Sequence, residues 1–275
     1  MYERHWHLSG RPFENWCDSR FFFPAEIHQT AMLKLRYGVE NRRGALTLCG
    51  DSGMGKSMLV DTLVQQLPEE ITPITRMVFP RLTGDQLLGY LAEELTGEAA
   101  DPQQTPLQAL RQIERCLNEN IAAGQHALVV VDEAHLLTNP DQLETLRLLL
   151  NIRGGTSTAE AAWTLLLVGD STLLGLIERN HALDQRMSVK SLLGRFTLDQ
   201  TIDYIGHRLQ LVAGDVSHIF TNPALEALHM RAGGIPRRIN RLGDLALMVG
   251  YAEDLSVIDA PQIEAVHQEL VSVAA

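Results

Sequence analysis

Three short runs constrain this chain more than anything else in it: Gly44–Cys49 (GALTLC), Ala127–Val131 (ALVVV) and Thr164–Val168 (TLLLV). None shows the in–out alternation of a strand with one wet face, so each must be covered on both faces. Helical patterns lie between them. Lys56–Leu67 carries apolar residues at 59, 60, 63, 64 and 67 and stops at Pro68. Thr83 caps a helix to about Leu95, ended by Gly97; Thr105-Pro106 opens another, closed by Gly124; Asn139-Pro140 opens one through about Leu150. With a further strand at Ile74–Phe79, the alternation predicts an α/β fold, a parallel sheet between two layers of helices.

After about residue 196 the strands stop, and helical periods fill Leu198–Val212, Asn222–Arg231, Arg237–Tyr251 and Ala260–Val271. Three segments result. Residues 1–43 form a lead-in packed on the core, with aromatics at Trp6, Phe13, Trp16 and Phe21 to Phe23 and a helix over roughly Ile27–Glu40. Residues 44–196 form the α/β core, including a Gly/Thr/Ser loop at Arg153–Glu160, and residues 197–275 form a small all-α domain.

Composition removes several function classes. No apolar run approaches the roughly 20 residues of a membrane span. The opening MYERHWHLSG lacks the apolar centre of a signal peptide, so a soluble, cytoplasmic protein is expected. Cys17, Cys49 and Cys116 are too scattered for a disulfide framework or a metal knuckle. Twenty-three basic against 34 acidic residues leave a net charge of −11, which disfavours sequence-independent attraction to nucleic acid or anionic lipid except through a local patch. Lysine occurs only at Lys34, Lys56 and Lys190.

One of those lysines sits in Gly50-Asp51-Ser52-Gly53-Met54-Gly55-Lys56-Ser57, which has the spacing G-x-x-x-x-G-K-[ST] between a predicted strand and a predicted helix. Glycines there let the backbone curl so that successive N–H groups, together with the start of the helix, face phosphate oxygens. Lys56 supplies a compact charge for the β- and γ-phosphates of ATP, Ser57 an oxygen for Mg²⁺, and Met58 completes the binding segment. The ALVVV strand ends in Asp132-Glu133-Ala134-His135. Asp132 suits the second oxygen position on Mg²⁺, and Glu133 suits a general base for the attacking water. His135 reads as a packing or supporting residue rather than a metal ligand.

These strings, with LETLRLLLN, LLLVGDSTLL, LDQRM and GGIPRRINRLGDLALMVGYAE, resemble the AAA+ superfamily, and more narrowly the ATPase module of general secretion pathway protein A and its pilus-biogenesis relatives. The resemblance runs from about residue 10 to 270. It implies a phosphate-loop core with strand order 5-1-4-3-2, a helical lid, and ATP hydrolysis with Mg²⁺. It also implies a first sensor at Asp170, where relatives usually carry a neutral amide or hydroxyl. An anion there repels a triphosphate unless protonated, metal-bridged or turned away, which sets an expectation of slow turnover. The other reading of Asp170 is a cap on the helix Ser171–Arg179. Arg186 matches the arginine finger offered to a neighbouring subunit, with Lys190 and Arg179 as substitutes and a plain surface arginine as the alternative. Arg237, after Pro236, matches the second sensor.

The resemblance leaves the output open. A secretion or pilus-assembly ATPase is the first expectation, working with protein partners and self-associating with ATP into a ring or filament. Larger secretion members continue into a membrane span, and this sequence stops at Ala275. The second is a DNA-bound regulator of the transposition type, with Lys34, Arg36, Arg42, Arg43, Arg231, Arg237, Arg238 and Arg241 as candidate contacts. The third is a protein-threading machine, which needs an aromatic grip after the second strand; Pro80-Arg81-Leu82-Thr83 offers none.

Overall fold

The computed structural model describes residues 1–14, 18–99, 103–153 and 161–273. Trp16, Cys17 and the 154–160 stretch of the expected loop lie outside the described residues. Along the chain run α1 (Glu26–Glu40), β1 (Ala45–Cys49), α2 (Lys56–Gln66), β2 (Ile74–Met77), α3 (Gly84–Thr96), α4 (Pro106–Ala122), β3 (Ala127–Val131) and α5 (Pro140–Leu149). Then come β4 (Trp163–Gly169), α6 (Thr172–Arg179), α7 (His181–Asp184), β5 (Met187–Leu192), α8 (Leu198–Gln210), α9 (Val216–Ile219), α10 (Asn222–Ala232), α11 (Pro236–Ala252) and α12 (Ala260–Val273). Capping boxes at Thr83, Thr105 and Asn139 start α3, α4 and α5, where the side chain accepts from the first-turn backbone and a glutamine three residues on returns the bond.

The chain divides into two compact units, one of residues 29–51 and 63–193, the other of residues 1–28, 52–62 and 194–275. In the first, five parallel strands pair in the order β2-β3-β4-β1-β5, the expected 5-1-4-3-2 read from the other edge. Every residue of β1, β3 and β4 is buried, as apolar strands without alternation require. Val129, Val131, Leu165 and Leu167 join Leu87, Leu91, Ile113 and Leu146 from α3, α4 and α5 in one apolar core. The hydropathy pattern did not reveal β5. It is an edge strand with Ser188, Lys190 and Leu192 exposed, so its sequence lacks the apolar run that betrays a central strand.

The second unit packs the C-terminal helices around Ile205, Leu209, Leu228, Ile239, Leu247 and Ile263. The lead-in is split differently from the expectation that residues 1–43 pack on the sheet-bearing core. Tyr2, Trp6, Leu8 and Phe13 are part of this helical core, and each such large apolar side chain contributes about 2 kcal/mol of burial. Buried Arg208 of α8 fastens them, donating to the Pro12 and Glu14 carbonyls at 3.1 Å each and to the Tyr204 hydroxyl at 3.0 Å.

Candidate functional site

In the sheet unit the candidate residues gather along one edge because every strand is parallel. The carboxyl ends of β1, β3 and β4 deliver Gly50-Asp51, Asp132-Glu133 and Asp170 to the same side. The Gly50 amide donates to the Gly169 carbonyl at 3.2 Å, and the Ser171 hydroxyl donates to Asp51 Oδ1 at 3.3 Å, which ties the start of the loop to the start of α6. Asp132 is held at the end of β3 by its own amide, bonded to the Met77 carbonyl at 2.8 Å. Its Oδ1 accepts from the Glu133 amide at 3.0 Å and its Oδ2 from Arg76 Nη2 at 2.7 Å. Nothing in the sequence reading pointed to Arg76, because a charged residue on a short strand carries no motif.

Glu133 adopts φ +50° and ψ +35°, a left-handed conformation costly for any side chain but glycine. It turns the chain sharply into the 3-10 turn Ala134–Leu136 and leaves the Glu133 carboxylate half exposed. His135 lies between two carboxylates: Nδ1 is 3.4 Å from Glu133 Oε2, and Nε2 is 3.6 Å from Asp170 Oδ2. Asp170 Oδ1 accepts from the Thr172 amide at 2.9 Å and hydroxyl at 2.5 Å, a turn just ahead of α6, whose N-cap position is Ser171. Its charge is therefore directed at the start of α6 and at the imidazole.

In the other unit, the loop from Ser52 has the conformation its glycines predict. Gly53 and Gly55 sit at φ +85° and +87°, and α2 begins at Lys56. A Cβ on Gly53 would come within 2.8 Å of Arg237 Cβ, because the Arg237 amide donates to the Gly53 carbonyl at 3.2 Å. Pro236 opens α11 and Arg237 follows it, exposed. Between the two glycines, buried His28 donates from Nε2 to the Met54 carbonyl at 2.9 Å. Burial lowers the pKa of this imidazole, which keeps it neutral with Nε2 protonated. His28 escaped the sequence reading because 26 residues separate it from its partner. Lys56, Ser57 and Met58 are half-buried on the first turn of α2.

The donor sets fit their expected ligands. Ser57 in one unit and Asp132 in the other each carry an oxygen of the kind that suits Mg²⁺, and a glycine-curled loop running into a helix suits a triphosphate.

Arg186 lies between α7 and β5, its guanidinium donating to Asn151 of the same chain. Lys190 is paired with Asp184, and Arg179 is exposed at the end of α6. Of the basic residues considered for DNA, Arg231 is paired with Glu264 at 2.7 Å and Arg36 with Glu40 at 3.5 Å, whereas Arg237, Arg238 and Arg241 are exposed on α11. Beyond β2, Val78 and Phe79 are exposed, so an aromatic stands one residue before the segment read as lacking one. Among the described residues no helix is long and apolar enough to cross a membrane.

A five-stranded parallel sheet in this order, with a phosphate-loop sequence after β1 and an Asp-Glu pair after β3, defines a phosphate-loop ATPase core of the AAA+ type. The family model described as "AAA domain" matches residues 39–177, and the chain belongs to that family. General secretion pathway protein A of Aeromonas hydrophila is 35% identical over 256 residues. The match takes in 92% of this chain and 45% of that protein, so the chain spans under half the length of this relative. Among solved structures, Cdc6p of Pyrobaculum aerophilum superposes with a TM-score of 0.67 at 17% identity, over 90% of this chain and 67% of that one. The Aeropyrum pernix ORC1 protein, solved in complex with DNA, gives a TM-score of 0.63 at 14% identity, over 92% of this chain and 69% of that one. At these identities the two structures share the fold.

Proposed function

We propose that this chain binds Mg·ATP through Gly50–Met58 and hydrolyses it. The observation that carries the reading is the loop itself: two glycines at φ near +86° followed at once by α2, the conformation that turns consecutive N–H groups toward phosphate oxygens. Lys56 meets the charge of the β- and γ-phosphates. Ser57 and Asp132 supply oxygens for Mg²⁺, which when bound neutralises charge developing on the phosphates. Glu133 accepts the proton of the attacking water, Asp170 borders the same nucleotide as first sensor, and Arg237 reports the γ-phosphate to α11. In a direct titration Lys56→Ala should lose ATP binding; wild-type affinity in that variant would refute the assignment.

In this reading turnover drives a secretion or pilus-assembly system through head-to-tail self-association into a ring or filament, with Arg186 reaching a neighbour's γ-phosphate. The 35% identity to general secretion pathway protein A supports this choice of process. The exposed Arg237, Arg238 and Arg241 favour a second reading, ATP-dependent DNA binding. Salt-dependent DNA affinity with and without ATP separates the two: a steep slope on log[salt] that requires ATP supports the second, and no binding supports the first.

A further inference from the structure

We propose that His135 is a positioning residue that couples Asp170 to the base Glu133, an inference that rests on the ATPase reading above. The Asp170 amide donates to His135 Nδ1 at 3.4 Å, and the Asp170 carboxylate faces Nε2 at 3.6 Å. One residue thus borders both nitrogens of the ring, hydrogen-bonded to Nδ1 and with its carboxylate near Nε2. Glu133 Oε2 stands 3.4 Å from the same Nδ1. A ring nitrogen carries either a lone pair or a proton, so Nδ1 serves either the Asp170 amide as acceptor or the Glu133 carboxylate as donor, never both. With Nδ1 accepting and Nε2 protonated, the imidazole is pinned to the β4–α6 corner and the Glu133 carboxylate is left available to take a proton. When the corner moves, Nδ1 is released toward Glu133 and the base is restrained.

Asp170 itself has the leverage for such a movement. Its other oxygen is bonded to the amide and hydroxyl of Thr172, at the first turn of α6. A shift of α6 therefore drags the carboxylate and the backbone amide together, and with them the ring. The same arrangement answers the objection that an anion at position 170 must oppose a triphosphate. The charge is turned onto the helix start and onto the imidazole, and its work is to set the ring. The side chain of His135 is only 19% exposed, so the ring has few competing positions.

The test uses the full chain and combines kinetics with imidazole ¹⁵N spectra of the nucleotide-free protein, the His135 signal being identified by its loss in His135→Phe. His135→Phe should lower kcat about 10- to 100-fold, as a misplaced catalytic group does, while the ATP Kd from direct titration stays within about twofold. His135→Gln, whose amide can still accept and donate, should recover part of the loss. In the double variant His135→Phe/Asp170→Asn the losses in kcat should be less than multiplicative, because the part of the Asp170 effect that reaches position 133 through the ring is already cut. In the spectra, wild type should show Nδ1 as the unprotonated nitrogen, and both Asp170→Asn and Glu133→Gln should shift that signal. Multiplying effects in the double variant, or a His135 signal that ignores both substitutions, would overturn the proposal. Should Glu133→Gln turn over at the wild-type rate, the base assignment fails by itself, and the spectra still decide whether the three side chains are coupled.

Discussion

Arg76 and Asp132 form an ion pair of 2.7 Å between the ends of two neighbouring parallel strands, β2 and β3. Asp132 is the carboxylate assigned to Mg²⁺, so one oxygen has two cationic claimants from within the same reading. Arg76→Gln should lower stability by about 1 kcal/mol in chelator, the worth of a partly exposed pair. It should also lower the Mg²⁺ concentration at half-maximal turnover, because a competitor for Oδ2 is gone. Thermal melts and a Mg²⁺ titration read the two effects. If Asp132→Asn and Arg76→Gln have additive effects on stability, the pair carries no coupling.

Glu133 combines a strained backbone with the proposed base. Glu133→Gly and Glu133→Ala should both reduce turnover by 10² to 10⁴, roughly the range of a general base. They should differ in stability, glycine being the more stable by about 0.5–1 kcal/mol because φ +50° costs it nothing. Urea denaturation of the two variants measures the difference; an alanine variant equal to or better than the glycine one would mean that the turn relaxes.

Acid should weaken the fold through its buried histidines. His126 is fully buried, bonded to the Thr164 hydroxyl at 2.8 Å, and burial pushes its pKa down from 6.5 to about 4. Between those values the unfolded chain binds a proton that the folded chain does not, so stability is complete above pH 6.5 and is lost as pH falls toward 4. Over the whole window the loss is roughly 3 kcal/mol for this group. His126→Gln should flatten that slope without removing it, since burial also lowers His28 and His207. A slope unchanged in His126→Gln would assign the acid sensitivity to other groups.

Arg186 is bonded to Asn151 of its own chain, so its proposed reach to a neighbour requires that bond to break. Sedimentation of Glu133→Gln with ATP should show assembly, and Arg186→Ala in that background should abolish it. Mixing Arg186→Ala with Lys56→Ala should restore part of the turnover, since each lacks what the other keeps. A monomer at tens of micromolar would remove the finger assignment.

The elements that were legible in the sequence are those whose signal is local. β3 was read from ALVVV without alternation, α4 from Thr105-Pro106, and the loop from glycines that must take positive φ. Asp132 and Glu133 were singled out because they directly follow a buried strand. By contrast β5 has exposed positions and no apolar run, and the short α7 and α9 have only four residues each in which to show a period.

Local chemistry in the sequence thus determined four of the five strands, most of their helical cover and the glycine loop, because burial on both faces, capping and glycine conformation each leave a mark within a few residues. Tertiary structure alone decided which side chains meet. Arg76 finds Asp132 across 56 positions, His28 finds Met54 across 26, and Asp170 finds His135 across 35. Such pairings follow, within each unit, from strand order and helix placement, which bring residues distant in the sequence into contact, and no periodicity along the chain encodes a distance between strands.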